Sequence, residues 1–185
     1  MAEYYLISQL PSLDGINENT PLPITSERFE ELCQRFLGKK AQLESERITL
    51  SPPRTPEKAA SSVIEGWNEG ERALRLALAR LRADKMNKSF DADIQSFSPV
   101  LMQAVRTAVE IESPMEAEKF LNKYRLDFLE TLRPMDSFSE DFVFYYGLKL
   151  RLLERIRKFD EESGETAYRN IYDSIMNGDR SEVIQ

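Results

Sequence analysis

Residues 137–164 read SFSEDFVFYYGLKLRLLERIRKFDEESG, and this stretch decides the fold class of the chain. Its apolar residues recur at helical spacing and predict one long amphipathic helix that ends near Phe159. The opposite side is rich in Lys and Arg, and no catalytic side chain interrupts the pattern. The stretch therefore favours a helical protein that holds a partner over one that transforms a substrate. The expected inner stripe is Phe142, Tyr145, Tyr146, Leu150, Leu153, Ile156 and Phe159.

The start and the outer side of this helix supply the first candidate contact residues. Ser137 and Glu140 have the spacing of a capping box, which predicts the helix start. Phe144 lies off the main stripe, so we expect it to contact either another helix of this chain or a partner. Arg151 and Arg155 belong to a basic edge that runs from Lys149 to Lys158, and we expect this edge to contact a partner.

The rest of the chain repeats the helical pattern and predicts an all-α fold, a multi-helix bundle with one or two long amphipathic helices. Tyr4–Leu10 is a short apolar run that fits either a buried strand or a helical turn, so a short extended N-terminal segment stays possible. We expect a single helical domain over residues 1–185, with a hinge near 51–55 and a weak subdivision near 88–98. Helices are predicted at 25–37, 41–50, 55–87, 98–111, 113–132 and 167–175.

The predicted helix at 55–87 carries a basic outer face on an otherwise acidic protein. Thr55 and Pro56 predict its start, because proline suits the first helical position. Gly66 and Gly70 flank the single tryptophan, Trp67, and predict either a close approach by a neighbouring helix or a bend. The basic face is either a solvated surface or a docking site for an acidic partner. Its candidate contact residues are Arg72, Arg75, Arg82 and Lys85.

Composition narrows the possible functions. The net charge of −7 argues against a general nucleic-acid binder, which needs Lys and Arg to neutralise phosphates. The sequence has no histidine and one cysteine, Cys33, which excludes Ser–His and Cys–His catalysis and the ordinary zinc sites. Carboxylates are plentiful, but they fall at predicted helix ends and outer faces. We therefore expect no enzymatic activity, no cofactor and no metal.

The N-terminus, MAEYYLISQLPSL, lacks the basic start of a signal peptide, and no window reaches the roughly 20 apolar residues of a membrane-spanning helix. A lone cysteine excludes an internal disulfide and suits a reducing compartment. These features predict a cytoplasmic protein that meets a membrane only through partners.

Four stretches carry a family resemblance: YYLISQLPSL, ITSERFEELCQRFL, the segment from Trp67 to Met86, and GLKLRLLERIRKFDEESGETAYRNIYDSI. Together they resemble a bacterial family whose genes lie among those of V-type (archaeal-type) rotary ATPases. That family is similar to the rotary ATPase C subunit, called d in eukaryotes. The C subunit is an all-helical protein that seats the central rotor shaft on the membrane proteolipid ring and performs no chemistry.

The resemblance implies a non-catalytic, C-subunit-like component of the central stalk, at the cytoplasmic face of the inner membrane. Its partners would be the central shaft and the membrane ring of the ATPase. The chain is shorter than the three-domain C subunit, which implies a reduced or accessory version. Two other functions stay open: a free-standing helical adaptor with an unrelated partner, and an enzyme that uses carboxylates, Lys, Arg and Tyr.

Overall fold

The computed structural model describes residues 2–16, 20–55, 58–90, 97–158, 169, 171 and 172. Every regular element in these ranges is a helix, so the predicted all-α class is confirmed. The N-terminal run is helical, and most of the predicted last helix at 167–175 lies outside the described residues. The helices are α1 (Ala2–Gln9), α2 (Ser26–Phe36), α3 (Lys39–Glu46), α4 (Ser62–Lys85), α5 (Pro99–Glu110), α6 (Pro114–Thr131) and α7 (Glu140–Arg157).

Three helices begin where their sequence signals predict. In each case a side-chain hydroxyl accepts a backbone N–H of the first turn, which would otherwise have no intrahelical partner. Proline follows the cap in α5 and in α6, where its missing N–H costs nothing. Thr25 accepts the N–H of Arg28 at 3.3 Å, Ser98 accepts that of Leu101 at 3.2 Å, and Ser113 accepts that of Glu116 at 3.4 Å.

The predicted start of α4 at Thr55 and Pro56 is wrong. The helix begins six residues later, because Ser61 is its N-cap and accepts the N–H of Ile64 at 3.4 Å. The same hydroxyl donates to Asp141 Oδ1 on α7 at 2.6 Å. The start of α4 is thus set by a contact between helices, which a local sequence signal does not contain.

The predicted N-cap of α7 at Ser137 is also wrong. Ser139 caps the helix instead and accepts the N–H of Phe142 at 3.2 Å. Asp136 forms the preceding turn, since its Oδ1 accepts the N–H of Phe138 at 2.9 Å and its carbonyl accepts the Ser139 hydroxyl at 2.8 Å. This turn places Phe138 before the helix rather than in its first turn.

The helices enclose two apolar clusters. The larger cluster lies between α1, α2, α3, the first part of α4, the end of α6 and α7. The smaller cluster lies between the second part of α4, α5 and the first part of α6. Both α4 and α6 therefore contribute to both clusters, and the change from one cluster to the other falls in the middle of each helix. The predicted subdivision near 88–98 includes residues 91–96, which lie outside the described part of the chain.

The first half of α7 is central and is surrounded by other helices. Residues 143–150 are buried without interruption, and α7 packs against α2, α3, α4 and α6. A helix that is buried on all sides has no solvent face to offer. Of the two contacts expected for Phe144, the structure shows the one with other helices of this chain rather than a partner contact, because its side chain is 3% exposed within the larger cluster.

The glycines beside Trp67 allow α6 to approach α4 closely. A Cβ atom built on Gly70 would lie 2.3 Å from the ring of Phe128, and one on Gly66 would lie 3.0 Å from Leu132. Trp67 itself is 1% exposed and its ring lies 6.4 Å from that of Phe128. Of the two interpretations open from the sequence, the close approach of a neighbouring helix is the one observed.

Candidate functional site

A buried ion pair joins the middle of α4 to the middle of α6. Arg125 Nε lies 2.9 Å from Glu71 Oε2, and Arg125 Nη2 lies 3.2 Å from Glu71 Oε1. The side chains are 7% and 2% exposed, respectively. Two parallel bonds of this kind match the planar guanidinium to both oxygens of the carboxylate. The pair lies where the two apolar clusters meet along both helices.

The pair belongs to a larger ionic network that reaches α7. Glu118 accepts from Arg125 Nη1 at 3.1 Å and from Arg155 Nη2 at 2.5 Å. Arg75 Nε donates to Glu71 Oε1 at 2.8 Å, and the buried amide of Asn122 accepts from Arg125 at 3.0 Å. The two carboxylates are thus held by three guanidinium groups. Both oxygens of Glu71 and Oε1 of Glu118 are therefore occupied by bonds within the chain.

A second cluster of charges surrounds Lys149, a residue of the predicted basic edge that is nearly buried. Its ammonium group lies 2.8 Å from Asp14 and 2.7 Å from Glu130. Tyr145 OH donates to Glu130 at 2.7 Å, and Tyr146 OH donates to the carbonyl of Pro11 at 2.8 Å. These bonds fix the loop after α1 to α6 and α7. The Lys149 cluster is therefore part of the internal structure rather than of a free basic surface.

The charges of this cluster shift the pKa values of its members. The hydrogen bond between Asp14 and Lys149 holds the pKa of Asp14 below its ordinary value. Burial raises the pKa of Glu130, but bonds from Lys149 and Tyr145 outweigh burial and leave it lowered. Burial lowers the pKa of Lys149, and its two carboxylate partners reverse that effect and raise it. Burial and the bond to Glu130 raise the pKa of Tyr145 to about 12. The ion pairs thus keep their charges throughout the neutral range.

We expect Lys149→Met to reduce the free energy of unfolding at pH 7 by about 1.5 kcal/mol, the lower end of the range for hydrogen bonds to charged groups. Asp14 and Glu130 are partly exposed, so water replaces their lost partner and limits the cost. Lys123→Met is the matched control, because Lys123 is exposed on α6, and we expect a change below about 0.5 kcal/mol. Urea denaturation measures both variants.

The same variant tests the acid dependence of stability. Carboxylates with lowered folded-state pKa values stabilise the protein above their ordinary pKa of about 4, and that stability is lost as the pH falls through the lowered values. The native protein should therefore lose stability more steeply below about pH 4.5 than Lys149→Met does. The contribution from the raised pKa of Lys149 itself is lost only at strongly alkaline pH. Parallel pH profiles of the two proteins would contradict this account.

Two arginines of the predicted α4 docking face are occupied inside the chain. Arg72 Nη2 donates to the carbonyl of Pro53 at 3.2 Å, and Arg75 Nη2 donates to the Ser51 hydroxyl at 3.0 Å. Both bonds attach residues 51–53, part of the hinge predicted near 51–55, to the side of α4. The guanidinium groups of Arg72 and Arg75 thus hold a loop of the same chain, and a partner contact by these residues stays a prediction.

The C-terminal end of the same face is more exposed. Lys85 Nζ donates to the carbonyl of Val109 at 2.6 Å, which attaches the end of α4 to the end of α5. Arg82 and Lys88 are exposed, and among the described residues neither forms an ion pair. We call Arg82, Lys85 and Lys88 the basic tip. It retains the positive charge that could dock an acidic partner.

The remaining two predicted contact residues are also paired within the chain. Arg151 Nη2 lies 2.8 Å from Glu30 on α2, and Arg155 Nη2 lies 2.5 Å from Glu118 on α6. Arg151 is 18% exposed and Arg155 is 29% exposed, so each shows solvent only part of its side chain. Both arginines thus join α7 to its neighbouring helices, and a partner contact by these residues stays a prediction.

Among the open pockets on the described surface of the bundle, two are lined by residues from more than one helix. The first, of about 610 Å³, lies beside Gly70 and Phe97, and Glu69 is the only carboxylate that lines it among the residues that the structure describes. The second, of about 330 Å³, combines Glu44 with Arg47 and Lys58. The described helices contain no group of three or more metal-ligating side chains, and none is long and apolar enough to cross a bilayer. Neither pocket brings several acids together.

The sequence did not reveal an exposed aromatic surface at one end of the bundle. The rings of Tyr4 and Phe138 stack with centroids 5.1 Å apart, and Tyr5 meets Tyr4 edge-on at 6.1 Å. Their side chains are 56%, 54% and 61% exposed in the order Tyr4, Phe138 and Tyr5. The Tyr4–Tyr5 pair was the available signal in the sequence. A short helix that buries Leu6 against the core cannot also bury both Tyr4 and Tyr5.

These features define an all-helical protein with a closed internal network of charges and an exposed aromatic surface. Residues 93–179, just under half of the chain, match the model of a protein family described as "Protein of unknown function (DUF2764)". The matched stretch contains α5, α6 and α7. Neither the curated proteins nor the solved structures contain a match to this chain.

Proposed function

We propose that this chain is a non-catalytic helical subunit of a V-type (archaeal-type) rotary ATPase, a C-subunit-like coupling component of the central stalk. The rotary ATPase is proposed as the assembly because of the sequence resemblance. The observation that carries a mechanical role is the ionic network of Glu71, Arg125, Glu118 and Arg155, which ties three helices together. Its carboxylates are occupied by guanidinium groups, so they serve cohesion between helices rather than proton transfer.

The proposed partners are the central shaft and the membrane ring of the ATPase. Association with the inner membrane is then indirect, at its cytoplasmic face, and takes place through those subunits. The overall charge of −7 agrees with a protein partner better than with nucleic acid. The basic tip is the proposed contact for an acidic surface of the assembly.

Co-expression with the rotary ATPase subunits of the same organism tests the proposal. We expect the chain to co-purify with the ATPase in a fixed ratio through affinity and size-exclusion steps, without supporting ATP hydrolysis alone. A chain that never associates with these subunits would contradict the proposal. It would favour the free-standing adaptor, whose helices would look the same.

If the basic tip docks an acidic surface, Arg82→Glu with Lys88→Glu should weaken the association about tenfold or more in low salt, and less at high salt. Lys39→Glu with Lys40→Glu is the matched control. It makes the same change in charge at two exposed lysines of α3 and should leave binding unchanged. Titration by biolayer interferometry at two salt concentrations measures both. Equal weakening by the two pairs would show an effect of net charge alone.

A further inference from the structure

We propose that the aromatic surface formed by Tyr4, Tyr5 and Phe138 docks an amphipathic helix of another protein, one whose apolar stripe is flanked by Lys or Arg. The proposal goes beyond the ATPase assignment and does not rest on it, since an unrelated partner could supply the same helix. The argument uses the geometry of the rings, their support from the core and the charges around them.

The three rings form one continuous surface built from distant parts of the chain. Tyr4 and Tyr5 come from α1, while Phe138 comes from the connection between α6 and α7. Each ring leaves more than half of its side chain in contact with solvent. Aromatic side chains bury about 150–250 Å² each, so together these rings expose roughly 300 Å². Met135, fully exposed in the same connection, adds a flexible apolar side chain.

The surface is held in place from below. Leu6 is fully buried in the larger apolar cluster and attaches α1, which carries the two exposed tyrosines, to the core. On the other side, Asp136 Oδ1 accepts the N–H of Phe138 at 2.9 Å and fixes the turn that presents its ring. A rigid aromatic surface loses little conformational freedom when a partner covers it, which favours binding. Contact centres of protein interfaces are enriched in such residues.

The charges beside the rings are mainly negative. Asp136 and Glu140 lie two residues before and after Phe138, and both are exposed. Arg133, a cation at the start of the connection between α6 and α7, has its guanidinium group 5.9 Å from the centre of the Tyr145 ring and near the carboxylates of the Lys149 cluster. The surface is therefore an apolar centre with an acidic margin. A complementary partner has an apolar stripe between basic residues.

This charge pattern favours one of the possible partners of the aromatic surface over the others. Two copies of this chain facing each other would oppose acidic margins, since a two-fold interface brings the same patch of both copies together. Bacterial and other cytoplasmic leaflets carry negative lipids, which the same margin repels. Strand addition needs a sheet edge, and the part of the chain that the structure describes has no strand. A helix from another protein, with Lys or Arg beside its apolar stripe, is the occupant that fits.

Two synthetic peptides of about 18 residues, or five helical turns, provide the probe. Both carry the same leucine stripe, flanked by Lys in one peptide and by Glu in the other. We expect the Lys-flanked peptide to bind the full chain at least about tenfold more tightly by fluorescence anisotropy. Tyr4→Ser with Phe138→Ser should weaken its binding by about tenfold or more. Leu43→Ser with Val100→Ser, which removes two equally exposed apolar side chains elsewhere, should not weaken it.

Hydrogen exchange of the native chain supplies a readout that needs no variant. The Lys-flanked peptide should protect the amides of residues 3–9 and 134–139 and leave those around Leu43 unchanged. Binding that survives Tyr4→Ser with Phe138→Ser would overturn the proposal, as would equal binding of the Glu-flanked peptide. Concentration-dependent dimerisation lost in that variant would overturn it in favour of a second copy. Sedimentation with phosphatidylglycerol vesicles, lost in the same variant, would overturn it in favour of a membrane.

Discussion

Arg125→Met should lower the free energy of unfolding by about 3–5 kcal/mol, the cost of removing one partner of a buried ion pair. The loss of stability arises from the Glu71 carboxylate, which remains in the variant without its main partner. Glu71 is 2% exposed and would remain in the apolar interior with only Arg75 still bonded to it. Replacing the guanidinium by a side chain of similar length retains most of the packing, so the loss reports the missing charge and its bonds. Urea denaturation followed by circular dichroism measures the change.

The control and a double variant separate the effect of burial from that of charge. Arg80→Met removes a partner from an exposed pair on the same helix, where Arg80 and Asp84 lie 3.2 Å apart, and should cost less than about 0.5 kcal/mol. Glu71→Met with Arg125→Met should recover most of the stability, because an apolar pair of similar volume replaces both charges. A loss below about 1 kcal/mol in Arg125→Met would contradict the description of this pair as buried and closed.

Phe144→Ala should lower the free energy of unfolding by about 3–5 kcal/mol, as expected for a large buried aromatic residue. Phe144 is 3% exposed and lies in the larger apolar cluster, among helices that pack around α7 on several sides. Its removal leaves a cavity that a central helix cannot close by moving toward one neighbour. We therefore expect a stability defect from this variant rather than a specific loss of partner binding.

Phe138→Ala is the matched control, since it makes the same truncation six residues earlier at a ring that is 54% exposed. We expect it to change the free energy of unfolding by less than about 1 kcal/mol and to act on helix docking instead. Denaturation curves for both variants, with peptide binding measured in the same buffer, separate the two roles. Similar losses of stability in the two variants would show that Phe138 belongs to the core as well.

The elements that the sequence predicted best are those with local causes. The caps at Thr25, Ser98 and Ser113 depend on a hydroxyl and the first helical turn, all within four residues. The expected inner stripe of α7 is likewise buried at Tyr145, Tyr146 and Leu150. The all-α class followed from such signals, because an amphipathic helix has to bury its apolar side against another helix.

The errors have causes that lie in other parts of the chain. Ser61 caps α4 while bonded to Asp141, a contact across 80 positions that periodicity does not contain. Phe144 looked peripheral because a helical stripe assumes one buried side, whereas α7 is enclosed. The bonds of Arg72 and Arg75 to residues 51–53 did not follow from the sequence, because a charge pattern does not show which cations the chain itself uses. The residues that stay exposed can be identified only after the internal pairs are known.

The bidentate pair of Glu71 and Arg125 also fixes how far α4 can slide along α6. Apolar contacts have no fixed direction, so two apolar helix faces can pack in more than one axial register. A shift of α4 by one helical turn, about 5.4 Å, would separate the Glu71 carboxylate from Arg125 on α6 and leave it bonded only to Arg75 of its own helix. The buried ion pair therefore sets the axial register of α4 against α6.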